Sequence, residues 1–236
     1  MARTQTLEQG VGLPVDLPDS PMPTVASWLA EAMRRRDQPN PNAMALATAG
    51  ADGLPSVRQV LCKDLNADEG WVVFYTNLDS AKGRDLKASP QCEACFYWDH
   101  MQRQARVGGH AIPTSNQEDD AYFASRPLLS QLGAWASDQS KPIESRAALD
   151  ARLVATAKRF GTPGATLEPG ANDAANTDVV VPRPPNWGGF RLWIDSVELW
   201  VGMPGRLHDR AKWRRTLQVD QGAVTTQPWS ATRLQP

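Results

Sequence analysis

Arg206-Leu207-His208-Asp209-Arg210 places two arginines and one of the chain's three histidines within five residues. If the segment is extended, alternate side chains share a face, and Arg206, His208 and Arg210 point the same way. Two permanent cations then flank a ring that titrates near neutrality. Such a face makes a poor core and a good seat for a phosphorylated or otherwise anionic aromatic ligand. Alone, the five residues read better as a solvated edge strand. The rest of the chain reverses that preference.

Cys92 and Cys95 have the C-x-x-C spacing of a metal or redox pair. There is no second pair and no nearby histidine cluster, and the surrounding QCEACFYW reads as a strand that sends the two thiols to opposite faces. Structural cysteines and no metal are expected. The formal charge of -1 gives no general polyanion-binding field, so nucleic acid is not an expected partner. No apolar run is long enough to span a bilayer, and Met1 to Asp19 lacks a signal-peptide core. A cytoplasmic protein with no membrane partner is expected. With 41% hydrophobic residues and nine tryptophans in 236 residues, the chain suits one large globular domain with or without loose tails.

The elements that must position these groups follow from periodicity and turn residues. Residues 1–20, rich in Gly, Pro and polar groups, are expected to be a disordered tail. Val25, Trp28, Leu29 and Met33 recur at helical spacing over Pro23–Asp37, ending in Arg34-Arg35-Arg36. AMALATA and SVRQVLCK around Ala51-Asp52-Gly53 predict a hairpin, and Asn66–Gly70 leads into the strand WVVFYTN. Ser80 is placed to cap a short helix through Ala88. QCEACFYW and QARVGGHAI are further strands. Helices are predicted over Asp119–Ser125 and Ser145–Phe160, with Arg126-Pro127 and LLSQLGAWASDQS irregular between them. Residues 161–186 read as a Pro/Gly/Ala-rich linker or insertion. Strands resume at GGFRLWI, SVELWVG and RLHDRAKWRR. The fold class is mainly β with peripheral helices, a barrel or sandwich.

The order SVRQVLCK, FYTN, SAKG, RQARV, AYFASRPLLSQLGAWASDQS, NWGGFR, ELW and RLHDR resembles the pyridoxamine 5'-phosphate oxidase family. The resemblance runs from the Trp28 helix to Arg233-Leu234-Gln235-Pro236, interrupted by the linker. It implies that residues 21–236 form an FMN-binding split β-barrel oxidase domain, paired as a homodimer with FMN at the subunit interface. Matching positions imply that Arg58, Val60, Leu61, Lys63, Tyr75, Thr76, Lys82, Gln104, Gln139, Ser140, Trp200 and Arg210 serve the flavin. Lys63, Tyr122, Arg126 and Ser130 match the cradle of the substrate phosphate, and Arg206 and His208 match the residues around the pyridine ring. Arginine forks, lysine, hydroxyls and amides are the groups that phosphates favour. Arg58 and Lys63 are five apart, which regular alternation sends to opposite faces unless a bulge intervenes.

The implied reaction takes a hydride equivalent from substrate C4' to the flavin, and oxygen returns the flavin to its oxidised form with release of hydrogen peroxide. Pyridoxamine 5'-phosphate gives an imine that hydrolyses to pyridoxal 5'-phosphate and ammonia; pyridoxine 5'-phosphate gives the aldehyde directly. Two departures from the family stand out. Residues 1–20 contain no tyrosine, so the Arg-x-x-Tyr segment that covers the substrate in relatives is missing or replaced. Ser80-Ala81-Lys82 stands where many relatives have Ser-Arg-Lys, and Arg84 is placed either to supply part of the lost fork or to be solvated. The alternatives are a related flavin oxidase acting on another ring, such as a phenazine precursor, and a split-barrel protein that binds flavin or haem without catalysis.

Overall fold

A computed structural model describes residues 12–162, 179–220 and 222–236. The chain forms two compact units: Met1–Phe74, Ser89–Ile112 and Arg191–Pro236 make one, and Tyr75–Ala88 and Pro113–Phe190 make the other.

The first unit begins with α1 (Met22–Arg35), which buries Met22, Val25, Trp28 and Ala32 along one stripe. Arg36, left-handed at φ 56°, ends it, and Arg34 and Arg35 favour the negative end of the helix dipole. The predicted hairpin is β1 (Ala43–Ala49) and β2 (Pro55–Leu61), antiparallel with Leu46 opposite Arg58. Short β3 (Asp64–Asn66) turns through Gly70 into β4 (Trp71–Asn77). β5 (Gln91–Trp98) and β6 (Arg103–Pro113) form a second antiparallel pair, in which Cys92 lies opposite Gly109 and Cys95 opposite Arg106. Burial pushes the Cys92 and Cys62 thiols up to about 12, so both stay protonated. GGFRLWI and SVELWVG run on as one strand, β7 (Trp187–Val201), which pairs antiparallel with β8 (Asp209–Arg214). The hairpin β9 (Leu217–Asp220) and β10 (Ala223–Thr226) stands apart, and β11 (Ser230–Leu234) pairs with β8. The main sheet has the order β11-β8-β7-β6-β5-β1-β2, with β4 paired to β7 and β3.

Three expectations need correction. Arg206 and His208 are not on a strand: Pro204–Arg206 is a 3-10 turn, Arg206 has φ 61°, and extended pairing begins only at Asp209. Pro204-Gly205 breaks the chain direction there, so Arg206, His208 and Arg210 do not share a strand face. Residues 13–20 are anchored rather than loose. Leu13 is buried and its amide donates to Asp209 Oδ2 at 2.7 Å, while Trp213 Nε1 donates to the Pro18 carbonyl at 2.8 Å. Arg233 spans the same strap, reaching Asp209 and the carbonyls of Pro14 and Val15. The rest of the proposed tail, residues 1–11, lies outside the described residues.

The third correction is in the second unit, where LLSQLGAWA is not irregular but helical. Its helices are α2 (Ala81–Ala88), α3 (Asn116–Ala124), α4 (Leu128–Ala136) and α5 (Arg146–Arg159). Leu128, Gln131, Leu132 and Trp135 recur at helical spacing after Pro127, and Gln131 Nε2 ties the α3–α4 turn by donating to the Ala124 and Arg126 carbonyls at 3.3 and 2.7 Å. Ser115 and Glu118 form a reciprocal capping box on α3, and Ser145 caps α5. The core of this unit is Phe123, Leu132, Ala157, Val181 and Trp187, with Tyr75, Tyr122, Trp135 and Phe160 against it. Both described ends of segment 161–186 belong to this packing: Thr162 and Val181 are buried, and Trp135 Nε1 donates to the Pro182 carbonyl at 2.7 Å. Its middle, residues 163–178, lies outside the described residues.

Asp119 is the polar keystone of the second unit. It is 5% exposed and accepts from Thr114 Oγ1 at 2.5 Å and from the Gly189 amide at 2.9 Å. Burial raises its pKa against the pull of those two bonds and of Arg183. Asp119→Ala strands a buried amide and a hydroxyl, and is expected to cost about 1–3 kcal/mol of stability in urea denaturation, whereas Asp119→Asn keeps an acceptor and loses less. Equal stability of wild type and Asp119→Ala would contradict that role.

Candidate functional site

In the second unit, β4 delivers Tyr75 and Thr76, and a tight turn through Asp79 and Ser80 leads into α2. Ser80 Oγ accepts the Gly83 amide at 3.3 Å as the predicted cap. Lys82 then folds back over the helix start. Its Nζ lies 2.9 Å from Thr76 Oγ1, 3.2 Å from Ser80 Oγ and 2.9 Å from Gln139 Oε1, and Thr76 Oγ1 donates to Gln139 Oε1 at 3.2 Å. Lys82 is 7% exposed. A buried ammonium, two rotatable hydroxyls, a side-chain amide and a helix N-terminus form a donor set that fits a phosphate. Ser140 follows Gln139 in a left-handed conformation at φ 71°. Arg84 donates to the Asp79 carbonyl at 2.5 Å, which engages it at the start of α2.

A second cation in this unit has a different setting. Arg126 sits at the α3–α4 turn with its guanidinium 4.7 Å from the Trp187 ring centre and 5.4 Å from that of Phe123. Its Nη1 is buried with no hydrogen-bond partner among the described residues, and burial lowers its pKa from the ordinary arginine value. Tyr75 and Tyr122 stack at 4.0 Å, and Tyr75 lies parallel to Trp187 at 5.4 Å. Ser130 lies in the first turn of α4. Thus Thr76, Lys82 and Gln139 come together as one group, and Tyr75, Tyr122 and Arg126 as another.

Trp187, Asp119 and Arg183 were not singled out from sequence. Arg183 Nη1 donates to the Trp187 carbonyl at 2.6 Å, its Nε to Asp120 Oδ1 at 2.6 Å and its Nη2 to Asn116 Oδ1 at 3.0 Å. Asp119 holds Gly189 on the other side of the tryptophan. A Cβ on Gly188 would stand 2.5 Å from Asp119 Oδ2, and one on Gly189 2.5 Å from Thr114 Oγ1. The adjacent glycines of NWGGF were the available signal for this close approach. Arg183 had none, because it lies in the segment read as a linker.

In the first unit, Arg58 projects from β2 onto β1. It donates to Thr48 Oγ1 at 2.6 Å, the Leu46 carbonyl at 3.2 Å and Ser56 Oγ at 2.7 Å. β2 ends at Leu61, so strand alternation does not extend to Lys63, whose amide donates instead to the Val73 carbonyl at 2.8 Å. Val60 is buried and Leu61 half-buried on the same strand. Gln104 sits on β6 opposite Tyr97. Trp200 and Arg210 are opposite each other on β7 and β8, and the His208 ring lies 4.7 Å from that of Trp200. His208 Nδ1 accepts from the Met203 amide at 3.2 Å, so a neutral ring carries its proton on Nε2. Arg206 is exposed on the turn. Arg210 donates to Glu198 Oε1 through Nε at 3.2 Å and Nη2 at 2.7 Å, and to the Gln235 carbonyl at 3.0 Å. Trp200, His208 and Arg210 are therefore neighbours, although not through the strand face expected. Among the described residues no group of three or more His, Cys, Asp or Glu could hold a metal ion, and no helix is long and apolar enough to cross a membrane.

Comparisons with known proteins identify the family and the fold. A family model described as pyridoxamine 5'-phosphate oxidase matches residues 29–166, and one for the pyridoxine 5'-phosphate oxidase C-terminal dimerisation region matches 187–236. A Burkholderia lata protein named pyridoxine/pyridoxamine 5'-phosphate oxidase is 45% identical over 221 residues, 94% of this chain and 91% of its own length. One of the same name from Maricaulis maris is 46% identical over 218 residues, 92% of this chain and 86% of its own. The solved structure of PhzG from Burkholderia lata, in complex with tetrahydrophenazine-1-carboxylic acid, is similar with a TM-score of 0.74 at 30% identity, covering 94% of this chain and 95% of that one. An FMN-binding, pyridoxamine 5'-phosphate oxidase-related protein from Nostoc punctiforme shares the fold at a TM-score of 0.61 and 18% identity, covering 92% of this chain and 98% of that one. The predicted split-barrel class is thereby met, and the chain belongs to the pyridoxamine 5'-phosphate oxidase family.

Proposed function

We propose that the protein uses FMN to oxidise pyridoxamine 5'-phosphate and pyridoxine 5'-phosphate to pyridoxal 5'-phosphate, as a homodimer. The observation that carries this reading is the pair of separate cation sites in the second unit: buried Lys82 bonded to Thr76 and Gln139, and Arg126 held against aromatic rings. One phosphate belongs to the cofactor and one to the substrate. A protein that only bound a flavin would need one such seat.

Lys82, Thr76, Gln139 and Ser140 hold the FMN phosphate. Arg58, the backbone of Val60 and Leu61, Tyr75, Gln104, Trp200 and Arg210 are assigned to the remaining flavin contacts. When bound, FMN supplies the capacity to accept a hydride equivalent from C4' and to pass the electrons on to oxygen. The chain's own part is binding and orientation. Lys63, Tyr122, Arg126 and Ser130 take the substrate phosphate and so fix the distance of C4' from that anchor. Arg206 and His208 orient the pyridine ring, with His208 offering Nε2–H as a donor while Nδ1 is occupied by the Met203 amide. With the amine as substrate, the imine released takes up water, and ammonia leaves.

A second reading, oxidation of a reduced phenazine carboxylate, is favoured by the likeness to PhzG with its bound tetrahydrophenazine acid. Against it stands the resemblance at Lys63, Tyr122, Arg126 and Ser130, which implies a cradle for a substrate phosphate. Aerobic incubation of FMN-loaded protein separates the two. Formation of pyridoxal 5'-phosphate with equimolar peroxide is expected; turnover of a reduced phenazine acid alone would overturn the proposal.

The two seats are expected to separate in variants. Lys82→Met weakens FMN binding by about tenfold or more, because a hydrogen bond to a charged group contributes about 1.5–3 kcal/mol. Arg126→Ala leaves FMN content normal and raises KM for the phosphorylated substrate by a similar factor. If Arg126→Ala purifies without flavin, the division between seats is wrong. Arg206→Ala and His208→Ala are expected to lower kcat with the flavin spectrum and dimer intact. Unchanged kinetics in both would return the RLHDR segment to a solvated turn.

A further inference from the structure

Arg126 raises a problem of charge. A guanidinium with a buried, unpaired Nη1 has to be held in place, and the usual means is a carboxylate. A carboxylate would also cancel the charge that an incoming anion needs. Here the guanidinium is held instead by a ring face, 4.7 Å above Trp187, with Phe123 at 5.4 Å. An aromatic face orients a planar cation and leaves its hydrogen-bond donors and net charge available.

Trp187 is itself fixed on every side. It is 6% exposed, lies parallel to Tyr75 at 5.4 Å and meets Phe123 edge-on at 5.0 Å. Its backbone carbonyl accepts from Arg183, and its amide donates to the Pro184 carbonyl at 3.0 Å. The next two residues, Gly188 and Gly189, press against Asp119 and Thr114 with no room for a side chain. The arginine rests on a tryptophan that cannot turn away.

We propose that Trp187 is a positioning residue for substrate, acting through Arg126: it preorganises the guanidinium over its ring as an uncancelled anion fork. This rests on the reading of Arg126 as the substrate-phosphate residue. Asp119 and Arg183 act one step further back, by holding the tryptophan.

The test is calorimetric titration of FMN-loaded protein with 4-deoxypyridoxine 5'-phosphate, which has no oxidisable group at C4', and with phosphate-free 4-deoxypyridoxine. Trp187→Leu is expected to weaken binding of the phosphorylated ligand by about tenfold and Trp187→Phe, which keeps a weaker ring face, by about threefold. Neither should change FMN affinity or the binding of the phosphate-free ligand. In an Arg126→Ala background, Trp187→Leu should add nothing further. If Trp187→Leu does not fold, the Trp187→Phe comparison in the two backgrounds decides. Equal losses for phosphorylated and phosphate-free ligands, loss of FMN, or additivity with Arg126→Ala would overturn the inference by showing that Trp187 merely packs. Failure of the wild type to bind the phosphorylated ligand would overturn the assignment of Arg126, and this inference with it.

Discussion

Withdrawing a cation from water is costly, and the second unit does so twice. Lys82 is buried beside hydroxyl and amide oxygens, and Arg126 is half-buried over indole. Charge desolvated in this way favours the arrival of an anion more strongly than the same charge in water. Much of the local architecture serves that end. The Ser80 cap starts α2 where the ammonium can fold back over it, and the capped helix α3 carries both Asp119 and Tyr122. The glycine pair of NWGGF lets the backbone come close enough for Asp119 to hold it.

In the first unit, carboxylates hold Arg210 and Arg106. Arg210 lies against Glu198, which also accepts from Arg106, and Arg106 in turn pairs with Glu93. These four residues lie on the neighbouring strands β8, β7, β6 and β5 and form an alternating row of charge across the sheet. Arg58, by contrast, is engaged by hydroxyl and carbonyl oxygens of its own hairpin. A guanidinium tied in this way is rigid and offers fewer free donors, which suits contact with a largely neutral ring system better than capture of a dianion. In the proposed division of labour, the phosphates fall to Lys82 and Arg126 of the second unit.

Much of this was legible in the sequence where a local rule governs. The β1–β2 hairpin, the Ser80 cap and the strand WVVFYTN follow from turn residues, capping and alternation, and all three appear as expected. Legibility failed where a turn dipeptide was passed over or a distant contact decides. Pro204-Gly205 inserts a turn ahead of β8, so the alternation that seemed to align Arg206 with His208 and Arg210 does not apply. LLSQLGAWA looked irregular because Gly133 and polar residues dilute its apolar stripe, yet Pro127 and tertiary burial of Leu132 make it a helix. Residues 13–20 read as a loose tail and Arg183 as part of a linker, and both are held by partners far away in sequence. For Trp187 the sequence offered NWGGF as a motif without a role; its part emerges only from its position beneath Arg126.

The substrate phosphate is the feature on which the functional reading turns, and anaerobic mixing tests it most directly. FMN-loaded protein is mixed with pyridoxamine 5'-phosphate, with pyridoxamine, and with a reduced phenazine carboxylate, and the loss of oxidised-flavin absorbance is followed. Rapid bleaching by the phosphorylated amine, much slower bleaching once the phosphate is removed, and none by the phenazine are the expected results. Equal rates with and without the phosphate, or bleaching by the phenazine alone, would contradict the assignment.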